Sequence, residues 1–164
     1  MPLAGDWDGN GGDEIGVYRP STSTFYERVD ADADATFTIA FGNTGDVPIT
    51  GSWDNSSGDE VGVCRPSDST FHLRRDNGSV VFFAFGNRGD VPIAGDWGSA
   101  NGDEVGVYRP GTSVFYKRWS SDITVPVAHG NAGDVPVIGD WNDIAADQVG
   151  VYRPGNRTFY PGED

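Results

Sequence analysis

The sequence predicts an all-β fold, a β-propeller of four-stranded antiparallel blades, and three observations carry that expectation. The first is a tandem repeat. Gly5-Asp6-Trp7, Gly51-Ser52-Trp53, Gly95-Asp96-Trp97 and Gly139-Asp140-Trp141 fall in step, with tryptophans 46, 44 and 44 residues apart, so only the first unit carries an insertion, of two residues. A fixed period in this range marks a solenoid, a propeller or a similar array, because one unit cannot bury its apolar face without a neighbour. The second is composition: 24 glycines, 10 prolines and no stretch with apolar residues at i, i+3, i+4 and i+7 over three turns, which argues against helices. The third is that each unit parses into four short strands joined by turn residues. Meanders of this length are propeller blades, whereas a parallel β-helix needs shorter, more uniform rungs. The blades run over about 2–44, 45–88, 89–132 and 133–164, the last without its fourth strand.

In the second unit the strands are Val47 to Gly51, Glu60 to Arg65, Thr70 to Arg74 and Val80 to Phe85. Pro66-Ser67-Asp68 and Asp76-Asn77-Gly78 supply the reversals, since proline presets φ and Asn-Gly takes the positive φ of hairpin turns. Val61 and Val63 alternate with Gly62 and Cys64, and Phe71 and Leu73 with His72 and Arg74, which gives these strands two distinct faces. Val80-Val81-Phe82-Phe83 is apolar throughout, the pattern of a strand covered on both faces by adjacent units. Phe25, Phe71, Phe115 and Phe159 read as blade core.

At 164 residues, with five tryptophans, six tyrosines and nine phenylalanines, the chain has the material for a real core. Its net charge of −14 repels phosphate backbones and anionic lipid, so neither nucleic acid nor a membrane surface is an expected partner, and cations are. Cys64 is the one cysteine and sits in the slot of Tyr18, Tyr108 and Tyr152, which marks it as core filler. No leader or transmembrane run is visible, as Met1-Pro2-Leu3 leads straight into the first unit.

The chemistry lies between the first two strands. In the first unit the turn reads Asp6-Trp7-Asp8-Gly9-Asn10-Gly11-Gly12-Asp13-Glu14, with oxygen-bearing side chains at loop positions 1, 3, 5 and 9. Such spacing wraps a hard cation: calcium takes six to eight oxygens in flexible geometry, and glycines let the chain curl around it. Asp6, Asp8, Asn10 and Glu14 would supply side-chain oxygens and Gly12 its carbonyl.

The Phe41-Gly42 and Phe85-Gly86 pairs, the aspartate-rich loop and the Val-Tyr-Arg-Pro after it make the chain resemble FG-GAP or VCBS-type repeats, the blades of integrin-α-like propellers. The resemblance implies four-stranded blades with calcium in the loop between strands one and two, carried over to Asp6, Asp8, Asn10, Gly12 and Glu14 only. The other loops depart from it. The second has Ser52, Asp54, Ser56 and Glu60; the third Asp96, Gly98, Ala100 and Glu104; the fourth Asp140, Asn142, Ile144 and Gln148. Losing carboxylates lowers affinity steeply, so loops three and four are expected empty and loop two is doubtful. Val-Tyr-Arg-Pro also departs from the small-residue Gly-Ala-Pro of integrin blades.

A structural turn competes with the metal reading. Asp13, Asp59, Asp103 and Asp147 recur in all four units, including the one poorest in ligands, which favours carboxylates that accept hydrogen bonds from turn backbone. Arg19, Arg65, Arg109 and Arg153 recur just before a proline, and with the loop tryptophans they offer either a ring of sugar or anion sites or structural pairs with a carboxylate such as Asp13 or an aromatic face. Trp119 has no counterpart in the other units. His72 stands in the slot of Tyr26, Tyr116 and Tyr160, and His129 in that of Phe41 and Phe85, so both are packing substitutions. No nucleophile elbow, histidine pair or phosphate loop is present, and the chain is not expected to be an enzyme.

The expected function is a noncatalytic propeller module, extracellular or at the cell surface, acting as a scaffold or protein-interaction domain with about one calcium ion in its first blade. The alternatives are a lectin with repeated glycan sites and a piece of a larger propeller without independent activity. For assembly the expectation is a homodimer forming an eight-bladed ring, against a four-bladed monomer.

Overall fold

The computed structural model describes residues 1–29, 36–98, 102–143 and 146–162. Ala100 and Ile144, which stand in the ligand slots of loops three and four, lie outside the described residues. Strands β1 (Pro2–Gly5), β2 (Glu14–Arg19), β3 (Thr24–Arg28) and β4 (Thr36–Ala40) are followed by β5 (Val47–Gly51), β6 (Glu60–Arg65), β7 (Thr70–Arg74) and β8 (Val80–Ala84). Then come β9 (Val91–Gly95), β10 (Glu104–Arg109), β11 (Val114–Arg118), β12 (Thr124–Ala128), β13 (Val135–Gly139), β14 (Gln148–Arg153) and β15 (Thr158–Pro161). Each repeat is one antiparallel meander in chain order, and the fold is all-β, of propeller blades. The first three blades have four strands and the last has three among the described residues.

The chain divides into two compact units of two blades each, Met1–Phe85 and Gly86–Asp164. Strand register gives every blade two faces. Tyr18 pairs with Phe25 and Phe25 with Ile39, which puts all three on a face that will be called forward, while Val61 and Val63 lie on the opposite, rear face of the second blade. In the first unit the forward face of blade one meets the rear face of blade two: Tyr18, Phe25, Val61 and Val63 form one cluster, each at most 1% exposed. The second unit repeats this, with Ile93, Trp97, Tyr108 and Phe115 of blade three packed on Val149 and Val151 of blade four. Burying such side chains is worth about 1.5–3 kcal/mol each, the principal favourable term holding neighbouring blades together.

The Phe-Gly pair has a physical reason. Phe41 packs against the first cluster, and Gly42 follows at φ 91°, where a Cβ would come within 3.0 Å of Cγ1 of Val63 on the next blade. Glycine alone satisfies both demands. Cys64 is a buried free thiol, as its slot implied, and burial, then Asp46 and Asp68, push its pKa up to about 11. A thiol so held stays protonated and inert.

Two expectations are corrected. Val80-Val81-Phe82-Phe83 is not covered on both sides, since Val80 is 44% and Phe82 69% exposed. β8 is the outermost strand of its blade, and the packing between blades one and two is centred on Val61 and Val63 of β6. Phe159 is not core either: it is 63% exposed, whereas Phe25, Phe71 and Phe115 are at 0%. Phe115 is sealed by the valines of the blade that follows it, and Phe159 stands on the forward face of blade four.

Candidate metal centre

The loop joining β1 to β2 brings three of its five predicted ligands together. Asp6, Asp8 and Glu14 each present a carboxylate oxygen, all within 4.8 Å of one another. The loop backbone holds them there. Asn10 donates its N–H to Oδ1 of Asp6 at 3.0 Å and of Asp8 at 3.1 Å, and Gly11, at φ 91°, turns its N–H onto Oδ2 of Asp6 at 2.8 Å. Trp7 donates its backbone N–H to Oε2 of Glu14 at 3.1 Å. A carboxylate accepts several bonds, so these contacts orient the three groups and leave oxygen lone pairs for a further partner. Asn10 enters differently from expectation, since its side-chain Nδ2 donates to Oδ2 of Asp8 at 2.8 Å. Gly12 lies beside it, with the position of a Cβ 3.6 Å from Oδ1 of Asn10.

The remaining loops use the same frame without the same charge. The N–H of the tryptophan is accepted seven residues on in every repeat: by Glu14, by Glu60 at 2.6 Å, by Glu104 at 3.2 Å and by Oε1 of Gln148 at 2.7 Å. Bracing that turn is therefore the shared job of the slot, and glutamine does it as well as glutamate. In loop four the Gln148 amide also donates to Oδ1 of Asn142 at 3.1 Å and to the Ala146 carbonyl. Loop four thus presents an N–H donor in the slot where loop one presents a carboxylate oxygen. In loop two the Ser56 hydroxyl bonds Oε1 of Glu60 at 3.1 Å. Burial first, opposed by the Trp53 N–H and reinforced by Asp54, pushes the Glu60 pKa up to about 7, and burial likewise takes Glu104 up to about 7.

A second carboxylate trio, Asp54, Glu60 and Asp76, was missed by loop spacing. Asp76 comes from the turn between β7 and β8, and only the pairing of strands within the blade brings it to the loop. Its one sequence signal is an acid in the hairpin turn.

Two of the recurring aspartates, Asp59 and Asp147, accept backbone hydrogen bonds, but from the preceding blade rather than their own turn. Asp59 accepts the N–H of Asp6 and Asp147 that of Asp96, each at 3.0 Å, and their own N–H groups return bonds to the carbonyls of Asp6 and Asp96 at 2.7 and 2.6 Å. They stitch loop to loop.

The arginines pair within their own blades, with a partner that spacing did not single out. Arg65, Arg109 and Arg153 fork onto Asp46, Asp90 and Asp134, nineteen residues earlier in the same blade, with Nε and Nη2 bonds of 2.8 to 3.1 Å. Each of these aspartates also takes the N–H of Asn43, Asn87 or Asn131 at 2.8 Å. Arg19, Arg109 and Arg153 lie over the rings of Tyr26, Tyr116 and Tyr160 at 4.4 to 4.5 Å. The hydrogen bond from Arg153, foremost, holds the Asp134 carboxyl below its usual range. Arg109→Ala is expected to lower stability by about 1–3 kcal/mol, the worth of hydrogen bonds to a charged group, in a urea melt. A loss of ligand binding at unchanged stability would instead return the arginine to a surface role.

No helix among the described residues is long and apolar enough to cross a membrane. Comparison with family models, with characterised proteins and with solved structures returns no match, so the functional reading rests on the residues of the loop itself.

Proposed function

We propose that this chain is a noncatalytic β-propeller repeat module, extracellular in its setting, that takes one calcium ion in its first loop and serves as a scaffold or protein-interaction domain. The observation that carries the proposal is the convergence of the Asp6, Asp8 and Glu14 carboxylates, in a chain whose fourth loop has an amide, Gln148, in the slot of Glu14. Three like charges within 4.8 Å repel one another, and a hard divalent cation relieves that repulsion while matching their oxygen chemistry. The resemblance of the loop and the Phe-Gly pairs to FG-GAP or VCBS repeats supports the same choice of ion. Asp6, Asp8 and Glu14 would hold it, and the ion would supply the charge neutralisation that fixes the loop.

Titration calorimetry on metal-stripped protein tests this. The expected result is about one ion per chain, with binding abolished in Glu14→Gln, which keeps the acceptor for the Trp7 N–H as Gln148 does for Trp141. Calcium at a hundredfold excess over its dissociation constant should then stabilise the fold by about 2.7 kcal/mol. Absence of heat, or heat unchanged by Glu14→Gln, would remove the site. Two ions, of which Glu14→Gln removes one, would give the second to Asp54, Glu60 and Asp76.

A further inference from the structure

The blade junctions within the two units define what each blade face requires, and two faces are left without it. On the rear face, the pair at Val61/Val63 is at most 1% exposed and Val149/Val151 0%, but the same pair in blade one, Ile15 and Val17, is 66% and 51% exposed. On the forward face, blade three buries Trp97 to 2% and Phe115 to 0%, while blade four leaves Trp141 46%, Phe159 63% and Val135 48% exposed. Among the described residues, these positions depart from the burial of their counterparts in the neighbouring repeats. They are also complementary: one is the face that receives a forward surface, and the other is a forward surface. The polar part of the junction is incomplete in the same place. Asp59 and Asp147 each clasp the loop of the preceding blade, and Asp13, their counterpart, is exposed beside Ile15.

We infer that the rear face of blade one docks on the forward face of blade four of a second copy of this chain, with Ile15 and Val17 seated against Trp141 and Phe159, and Asp13 clasping the loop that begins at Asp140. The occupant follows from the repeat: the surface known to fit an Ile15/Val17-type pair is an aromatic forward face carrying Trp and Phe, as blade three shows against Val149 and Val151, and blade four is the surface of that kind that stands exposed. The contact is head-to-tail, two different patches meeting, and the inference is that two chains make it reciprocally. Each chain carries a charge of −14, so repulsion opposes this apolar contact and salt should favour it. The inference does not depend on calcium in the first loop.

Multi-angle light scattering in 0.15 M salt and chelator tests it with three samples. The wild-type chain is expected at about 35 kDa, twice its 17.5 kDa mass. Val17→Asp and Phe159→Asp, both at exposed positions where a carboxylate costs the single chain little, are each expected at 17.5 kDa with unchanged circular dichroism. An equimolar mixture of the two variants is the decisive sample. Each retains the patch that the other has lost, so the mixture should recover a 35 kDa species through one intact junction. A wild-type chain that stays at 17.5 kDa at every concentration would overturn the inference, as would a dimer untouched by either variant or a mixture that remains monomeric.

Discussion

Trp97→Ala should destabilise the second unit by about 3–5 kcal/mol, the cost of emptying a large buried aromatic site. Trp97 is 2% exposed and belongs to the cluster that joins blades three and four. Its indole is held from three sides. Nε1 donates to the Val105 carbonyl at 3.3 Å, the Lys117 ammonium sits 5.4 Å from the ring, and the indole lies so close over Gly95 that a Cβ there would come within 3.0 Å of Cζ3. That last contact explains the Gly-x-Trp signature: the glycine is small so that its own tryptophan can fold back over the strand. Removing the ring opens a cavity bounded by Ile93, Tyr108, Phe115 and the two valines, none of which can fill it without leaving its own partner. At about 2–4 °C per kcal/mol for a chain of this size, the melting temperature should fall by roughly 6–20 °C. Trp97→Phe keeps most of the apolar area and loses the Nε1 bond, and should cost less. A melting temperature for the alanine variant indistinguishable from wild type would show that the indole serves the surface instead.

The period made the fold legible because it sums evidence over four copies. Three of the four strands assigned in the second repeat match the structure in both bounds, and the fourth ends one residue early, at Ala84. What the period cannot convey is position within the array. It treats Phe159 and Val17 as equals of Phe115 and Val151, yet burial depends on whether a neighbouring blade is there to supply cover. The candidate site followed the same rule. Asp6, Asp8 and Glu14 are local, so spacing alone placed them together. Asp76 beside Glu60, and Asp59 on the loop of the preceding blade, are contacts between separate hairpins, for which one sequence carries no spacing signal. The Asp46 to Arg65 pair was hidden for another reason: its aspartate sits in a turn of small and polar residues, where no single carboxylate stands out until the strands are paired.

Three glutamates, Glu27 and Glu60 buried and Glu104 half-buried, should make the protein more stable at pH 5 than at pH 8. Burial, foremost in each case, pushes Glu27, Glu60 and Glu104 from an ordinary 4.5 up to about 7, with Arg74 opposing it at Glu27 and the tryptophan N–H groups opposing it at the other two. Between 4.5 and 7 the folded chain holds protons that the unfolded chain has released, so unfolding loses protons and stability declines as the pH rises through that window. Above the folded value the loss is complete, and each group then costs on the order of 1–3 kcal/mol, since a tenfold change in proton affinity is worth about 1.4 kcal/mol and partial exposure reduces the full effect. Urea melts from pH 5 to 8 in chelator, which keeps calcium out of the comparison and stays above the pI of about 4.2, should show a steady fall in midpoint. Repeat four already contains the substitution that isolates the cause. Gln148 occupies the slot of Glu104, is 1% exposed, and accepts the Trp141 N–H at 2.7 Å without a charge to bury. Glu104→Gln is therefore expected to raise stability by about 1–3 kcal/mol at pH 8 and to change it little at pH 5. A variant equally stabilised at both pH values would place the gain in packing rather than in the proton, and a flat or rising midpoint for the wild type would mean that these carboxylates ionise in the folded chain as they do in water.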